Sequence, residues 1–124
     1  TEYFTKNSLK DEIAKKTIQV QDRLKKFRGN SDYNLEEKNI ILVDDGIATG
    51  STVFVVVEWL KTQKIDTCLI ASPVIPSNMF KELKQKFSDV CVIYSPDNFV
   101  SVSEFYDNFD QVPDEHVMDT LANY

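Results

Sequence analysis

The stretch that decides the fold reads Asn39-Ile40-Ile41-Leu42-Val43-Asp44-Asp45-Gly46-Ile47-Ala48-Thr49-Gly50-Ser51-Thr52. It opens with four consecutive large aliphatics, Ile40 to Val43, without polar alternation. Such a run suits a strand buried on both faces, as in a parallel sheet. The strand ends in two adjacent carboxylates, then a turn between two glycines, then hydroxyl residues. Beyond the turn, Val53, Phe54, Val55, Val56, Val57, Trp59 and Leu60 make residues 51–63 apolar nearly all round. The valines alone favour a strand. The length, the preceding glycine turn and the Glu58 to Lys61 spacing predict a helix instead.

Outward from this stretch the alternation continues. Thr67–Val74 is a second buried-type strand, closed by Pro73 and Pro76. Ser77–Phe87 reads as a helix with Ser77 as N-cap and Met79, Phe80, Leu83 and Phe87 as its apolar face. Asp89–Tyr94 is a third strand, stopped by Pro96. Strand, helix, strand, helix, strand over residues 39–95 means βαβ units with right-handed crossovers and a parallel sheet. Upstream, residues 8–27 read as an amphipathic helix. Ser8 and Asp11 form a capping-box-like start, and Ile13, Thr17, Val20, Leu24 and Phe27 form one stripe. Gly29 and Asn30 predict a C-cap and loop. Residues 97–124 are an acidic arm rich in aromatics (Phe99, Phe105, Tyr106, Phe109 and Tyr124), irregular except for a short helix at Asp114–Ala122.

The chain has 124 residues, enough for one domain with a core. It holds no apolar run near the ~20 residues that cross a bilayer, and its charged opening is unlike a signal peptide. Cys68 and Cys91 lie in apolar runs and read as buried, reduced thiols of a cytoplasmic protein. His116 has no ligating neighbour, so no metal site is expected there. Net charge is −6, and residues 87–124 hold eight Asp or Glu and no Lys or Arg, which argues against nucleic-acid binding.

The loop carries the chemistry. Ligands of parallel α/β sheets bind beyond the carboxyl ends of strands. Gly46 and Gly50 let the backbone bend and approach a ligand. Thr49, Ser51 and Thr52 offer hydroxyls, and the N–H groups opening the next helix form an anion cradle. A phosphate therefore fits at residues 47–52. Asp44 and Asp45 would repel it, so they serve another part of the same ligand. Vicinal ribose hydroxyls, met directly or through Mg2+, are their natural partner. A Walker A loop is excluded because no Lys lies between Lys38 and Lys61. The glycine spacing also fails the dinucleotide fingerprint.

Ile41 to Thr52 resembles the phosphoribosyl-diphosphate (PRPP) binding motif of type I phosphoribosyltransferases: four hydrophobics, two acids, then a Thr-Gly loop with hydroxyls. Phe27-Arg28-Gly29, Pro73-Val74 and the Phe99…Phe105-Tyr106…Phe109-Asp110 tail are similar to a subgroup of predicted phosphoribosyltransferases of undefined substrate. The resemblance implies a three-layer, Rossmann-like α/β fold. It implies that Asp44 and Asp45 hold the ribose hydroxyls and act at the catalytic centre. Gly46 and Ile47 shape the loop, and Ala48, Thr49, Gly50, Ser51 and Thr52 bind the 5′-phosphate. It further implies transfer of the phosphoribosyl group to a nitrogenous acceptor, with Mg2+ neutralising the pyrophosphate.

Members of this family carry an earlier strand and a pyrophosphate loop that residues 1–38 lack. The chain therefore reads as a single, partial domain truncated at its N-terminus, with Lys25, Lys26 and Arg28 as candidate pyrophosphate contacts. A small sheet with uncovered apolar faces points to a homo-oligomer or to association with a missing N-terminal segment. The alternatives are a non-catalytic PRPP or nucleotide sensor and an assembly domain that keeps the loop as a relic.

Overall fold

The computed structural model describes residues 6–32 and 34–123, with side chains described from Leu9 onward. In chain order the elements are α1 (Lys6–Arg28), β1 (Asn39–Val43), α2 (Ser51–Lys61), β2 (Thr67–Val74), α3 (Ser77–Lys86), β3 (Val90–Tyr94), a 3-10 turn (Val102–Phe105) and α4 (Asp114–Ala122). The chain resolves into two compact units. One spans Asn34–Asp110 and holds the sheet; the other contains α1 and α4.

In the sheet unit all three strands are parallel, in the order β1-β2-β3. Val43 lies opposite Ala71, and Ala71 lies opposite Cys91. One face of the sheet is the core. There Ile70 and Val90 pack with Val53 and Val57 of α2, Met79 and Leu83 of α3, and Ile47 and Ile75 from the loops. Burying one such aliphatic side chain contributes about 1.5–3 kcal/mol, so this face holds the unit together. The other face is open: Ile41 is 63% exposed, Val43 70% and Ile93 85%. The aliphatic run of β1 is thus covered on one side only, where the sequence predicts two. Cys91 is likewise exposed, not buried, and Cys68 is half-buried; neither forms a disulfide.

The valine-rich segment is a helix because tertiary burial selects a period. Val53, Val57 and Leu60, at i, i+4 and i+7, are buried, while Val55 faces outward. Glu58 accepts from Lys61 at 2.6 Å on its outer side. In α3 the helix is entered through Pro76, and Ser77 is its first residue. The Ser77 hydroxyl does not cap the helix; it donates to Asp97 Oδ1 at 2.6 Å beyond β3.

The unit of α1 and α4 is described by itself. α1 is already helical at Lys6, so Ser8 lies inside it; that side chain and Tyr124 fall outside the described residues. The helix ends as predicted, with Gly29 at φ 77° and its N–H donating to Lys25 O at 2.9 Å. Of the apolar stripe, Leu24 and Phe27 are half-buried, while Ile13 and Val20 are exposed. Lys26 Nζ pairs with Asp114 at 2.7 Å, and that contact holds the Asp114 carboxyl below its usual range. No described helix is long and apolar enough to cross a membrane.

Candidate functional site

The loop after β1 is pinned at two points to the carboxyl end of β2. Asp44 N–H donates to Ala71 O at 3.2 Å, and Ile47 N–H donates to Val74 O at 3.1 Å. Ile47 is buried at 2% exposure, which fixes the floor of the turn in the core. Gly50 then takes φ 69° and caps α2. A Cβ there would sit 2.9 Å from both Met79 Sδ and Phe54 Cε2, so backbone and packing both demand glycine.

These constraints leave a cavity of about 170 Å³ lined by Asp44 and residues 46–53. Thr49 Oγ1 and Ser51 Oγ lie 3.0 Å apart, and Ser51 N–H leans toward Thr49 Oγ1 at 3.4 Å. The N–H groups of the first turn of α2 have no intrahelical acceptor. The cavity therefore presents hydroxyls and N–H donors over its helix end and a carboxylate over its strand end.

Asp44 is half-buried and Asp45 is exposed. Burial pushes the Asp44 carboxyl above its ordinary range, and the neighbouring Asp45 charge pushes it further; the Asp45 main-chain N–H pulls the other way. Two acids side by side repel one another. A cation, or a ligand that donates hydrogen bonds, relieves that repulsion; a phosphate would aggravate it.

Structure adds to the site a segment that the sequence places only in an arm. Tyr106 donates its hydroxyl to Asp45 O at 2.6 Å, across 61 residues of chain. Val102 lies against Gly46, where a Cβ would overlap the valine side chain. The segment is held by rings: Phe105 stacks on Phe99 at 5.7 Å and 10°, and contacts Tyr94 of β3 at 5.7 Å, while Tyr106 packs on Phe109 at 5.2 Å. The aromatic composition of the tail was the one sequence signal for this docking, and it names no partner.

Of the predicted site, Asp44 and residues 46–52 line one cavity; Asp45 stands beside it, exposed, and does not line it. Lys25, Lys26 and Arg28 lie in the last turn of α1, in the other unit, where Lys26 pairs with Asp114.

No family model matches the chain. Over 105 residues, 84% of the chain, it is 30% identical to two proteins of Mycobacterium tuberculosis, from strains CDC 1551 and H37Rv, each named "putative phosphoribosyl transferase". The match spans 24% of the length of those relatives. The crystal structure of TT1426 from Thermus thermophilus shares the fold, with a TM-score of 0.78 and 24% identity over 98% of this chain and 58% of that one. By sequence the chain resembles proteins named putative phosphoribosyl transferase, and by fold it has a Rossmann-like parallel α/β frame.

Proposed function

We propose that the chain binds PRPP or ribose 5-phosphate at Asp44–Thr52, as the ribose-phosphate half of a phosphoribosyltransferase. The observation that carries this is the two-ended cavity: hydroxyl and N–H donors at residues 49–53 and a carboxylate at Asp44, at the end of one strand. A ribose 5-phosphate has the matching ends, an anion and vicinal hydroxyls. The 5′-phosphate takes the opening turn of α2, and the hydroxyls donate to Asp44 and Asp45.

Mg2+ fits the adjacent acids, whose repulsion a divalent ion would relieve. Among the described residues no cluster of three or more acids, histidines or cysteines could hold a metal alone, so ligand oxygens would complete its shell. When bound, the ion neutralises pyrophosphate charge.

In the transfer, the acceptor nitrogen bonds to the anomeric carbon as the bond to pyrophosphate oxygen breaks, and the nitrogen then releases its proton. Charge at the sugar is positive at the summit of this step. The protein's part is to hold the ribose and to place carboxylates where that charge grows. The free thiols agree with a cytoplasmic setting. The open sheet face supports association with a second copy or an N-terminal segment.

Calorimetry of the folded chain with PRPP and with ribose 5-phosphate, with and without Mg2+, tests the reading. Binding that the Asp44→Asn/Asp45→Asn variant loses is expected; no heat from a folded wild-type sample would refute it. A second reading, binding without transfer, is favoured by the engagement of Lys26 with Asp114. Turnover of PRPP with any nitrogenous base would exclude it.

A further inference from the structure

We propose that Tyr106 is a positioning residue for the Asp44–Asp45 pair, its hydroxyl fixing the Asp45 carbonyl so that both carboxylates face the sugar end of the ligand. The inference rests on the phosphoribosyl reading of the loop.

Asp44 and Ile47 are tied to β2 through their N–H groups. Between those anchors stand Asp45 and Gly46, beyond the paired length of β1. That gap carries Asp45, next to the anchored Asp44, and it is where the tail docks. Val102 fills the space over Gly46, and the Tyr106 hydroxyl meets Asp45 O at 2.6 Å. Tyr106 is itself held. Its N–H donates to Ser103 O at 3.3 Å, closing the 3-10 turn, and its ring packs on Phe109.

The peptide that Tyr106 grips joins Asp45 to Gly46, so its rotation changes ψ of Asp45 and φ of Gly46, and with them the path of the backbone from which the Asp45 side chain projects. Adjacent carboxylates repel, and an unrestrained turn would relax by moving them apart. A hydrogen bond to the carbonyl resists that rotation without touching either carboxylate. The phosphate end of the cavity has other supports, in buried Ile47 and the packing at Gly50. Tyr106 should therefore matter to the sugar end and not to the phosphate end.

Tyr106→Phe keeps the ring and its contact with Phe109 and removes only the donor. The full chain is titrated by calorimetry with inorganic phosphate and with ribose 5-phosphate, and folding is checked by Trp59 fluorescence. A net hydrogen bond of ordinary strength corresponds to a loss of about two- to tenfold. Weaker ribose 5-phosphate binding by that factor, with phosphate binding unchanged, is expected. An equal loss for both ligands would mark general loosening and overturn the proposal, as would no change in either. Wild-type protein that binds ribose 5-phosphate no better than phosphate would remove the phosphoribosyl reading itself, a result visible before any variant is made.

Discussion

Gly50→Ala concentrates the demands of fold and loop in one atom. The residue sits at φ 69°, where an L side chain is strained by about 1–2 kcal/mol. The new Cβ would also lie 2.9 Å from Met79 Sδ and from Phe54 Cε2, against the ~3.5–4.0 Å of an optimal carbon contact. Met79 is 9% exposed, and Phe54 is hemmed by Phe87 at 6.0 Å and Lys86 at 4.4 Å. Neither can swing freely into solvent, so overpacking adds about 1–3 kcal/mol. The sum, about 2–5 kcal/mol, is a large part of the ~5–15 kcal/mol that holds a typical domain. Urea unfolding followed through Trp59, the single tryptophan, which lies on α2, reads the sheet unit directly. Gly29→Ala is the matched control: φ is 77° there, but nothing lies within 4 Å of a Cβ. Its loss, read as helicity of α1, should be the backbone part alone, about 1–2 kcal/mol. If Gly50→Ala is no more destabilising than Gly29→Ala, the Met79–Phe54 wall is not rigid and the packing argument fails.

Leu83 is fully buried, so Leu83→Ala should destabilise the sheet unit by about 2–5 kcal/mol in the same urea assay. The raised Asp44 carboxyl favours the folded state fully only below its unfolded value near 3.8, and that benefit is lost as pH rises through the folded value. Asp44→Asn should therefore raise the melting temperature of the ligand-free protein at neutral pH, with the gain shrinking toward pH 4. Ribose 5-phosphate binding should weaken on acidification more than inorganic phosphate binding does, and this excess should shrink in Asp44→Asn. Thiol labelling should be biphasic, with exposed Cys91 reacting before half-buried Cys68, whose thiol is pushed up by burial. Equal rates would contradict that burial. Asp97→Ala removes the acceptor 2.6 Å from Ser77 Oγ and should cost about 0.5–1.5 kcal/mol in thermal unfolding.

The parallel α/β unit was legible because its signals are local. Each strand is a short apolar run bounded by turn residues, and each crossover is a helix that follows a Gly or Pro break. The coverage of the sheet was not legible. Ile41 and Val43 look as apolar as Ile40 and Leu42, and only the order β1-β2-β3, with both crossover helices packed on one face, tells which pair is left open. Ser77 departs from its expected N-cap role for a related reason. A serine opening a helix has local N–H groups to satisfy, but Asp97, twenty residues on, competes for its hydroxyl once β3 brings the two together.

The same distinction divides the candidate site. Its proposed phosphate end is a contiguous peptide, so its chemistry lies in sequence order. Its proposed sugar end sets charge beside charge, and the restraint proposed for it lies outside the peptide. The restraint comes from residues 102–106, and their arrival depends on Phe105 packing against Phe99 and against Tyr94 at the end of β3. Tyr94 is therefore two contacts removed from Asp45 and does not line the cavity. Its ring nonetheless belongs to the support of the carboxylates. Removing it should loosen the tail and impair ribose 5-phosphate binding more than phosphate binding, as loss of the Tyr106 hydroxyl should. Removing Val55, an exposed side chain on the outer face of α2, should do neither.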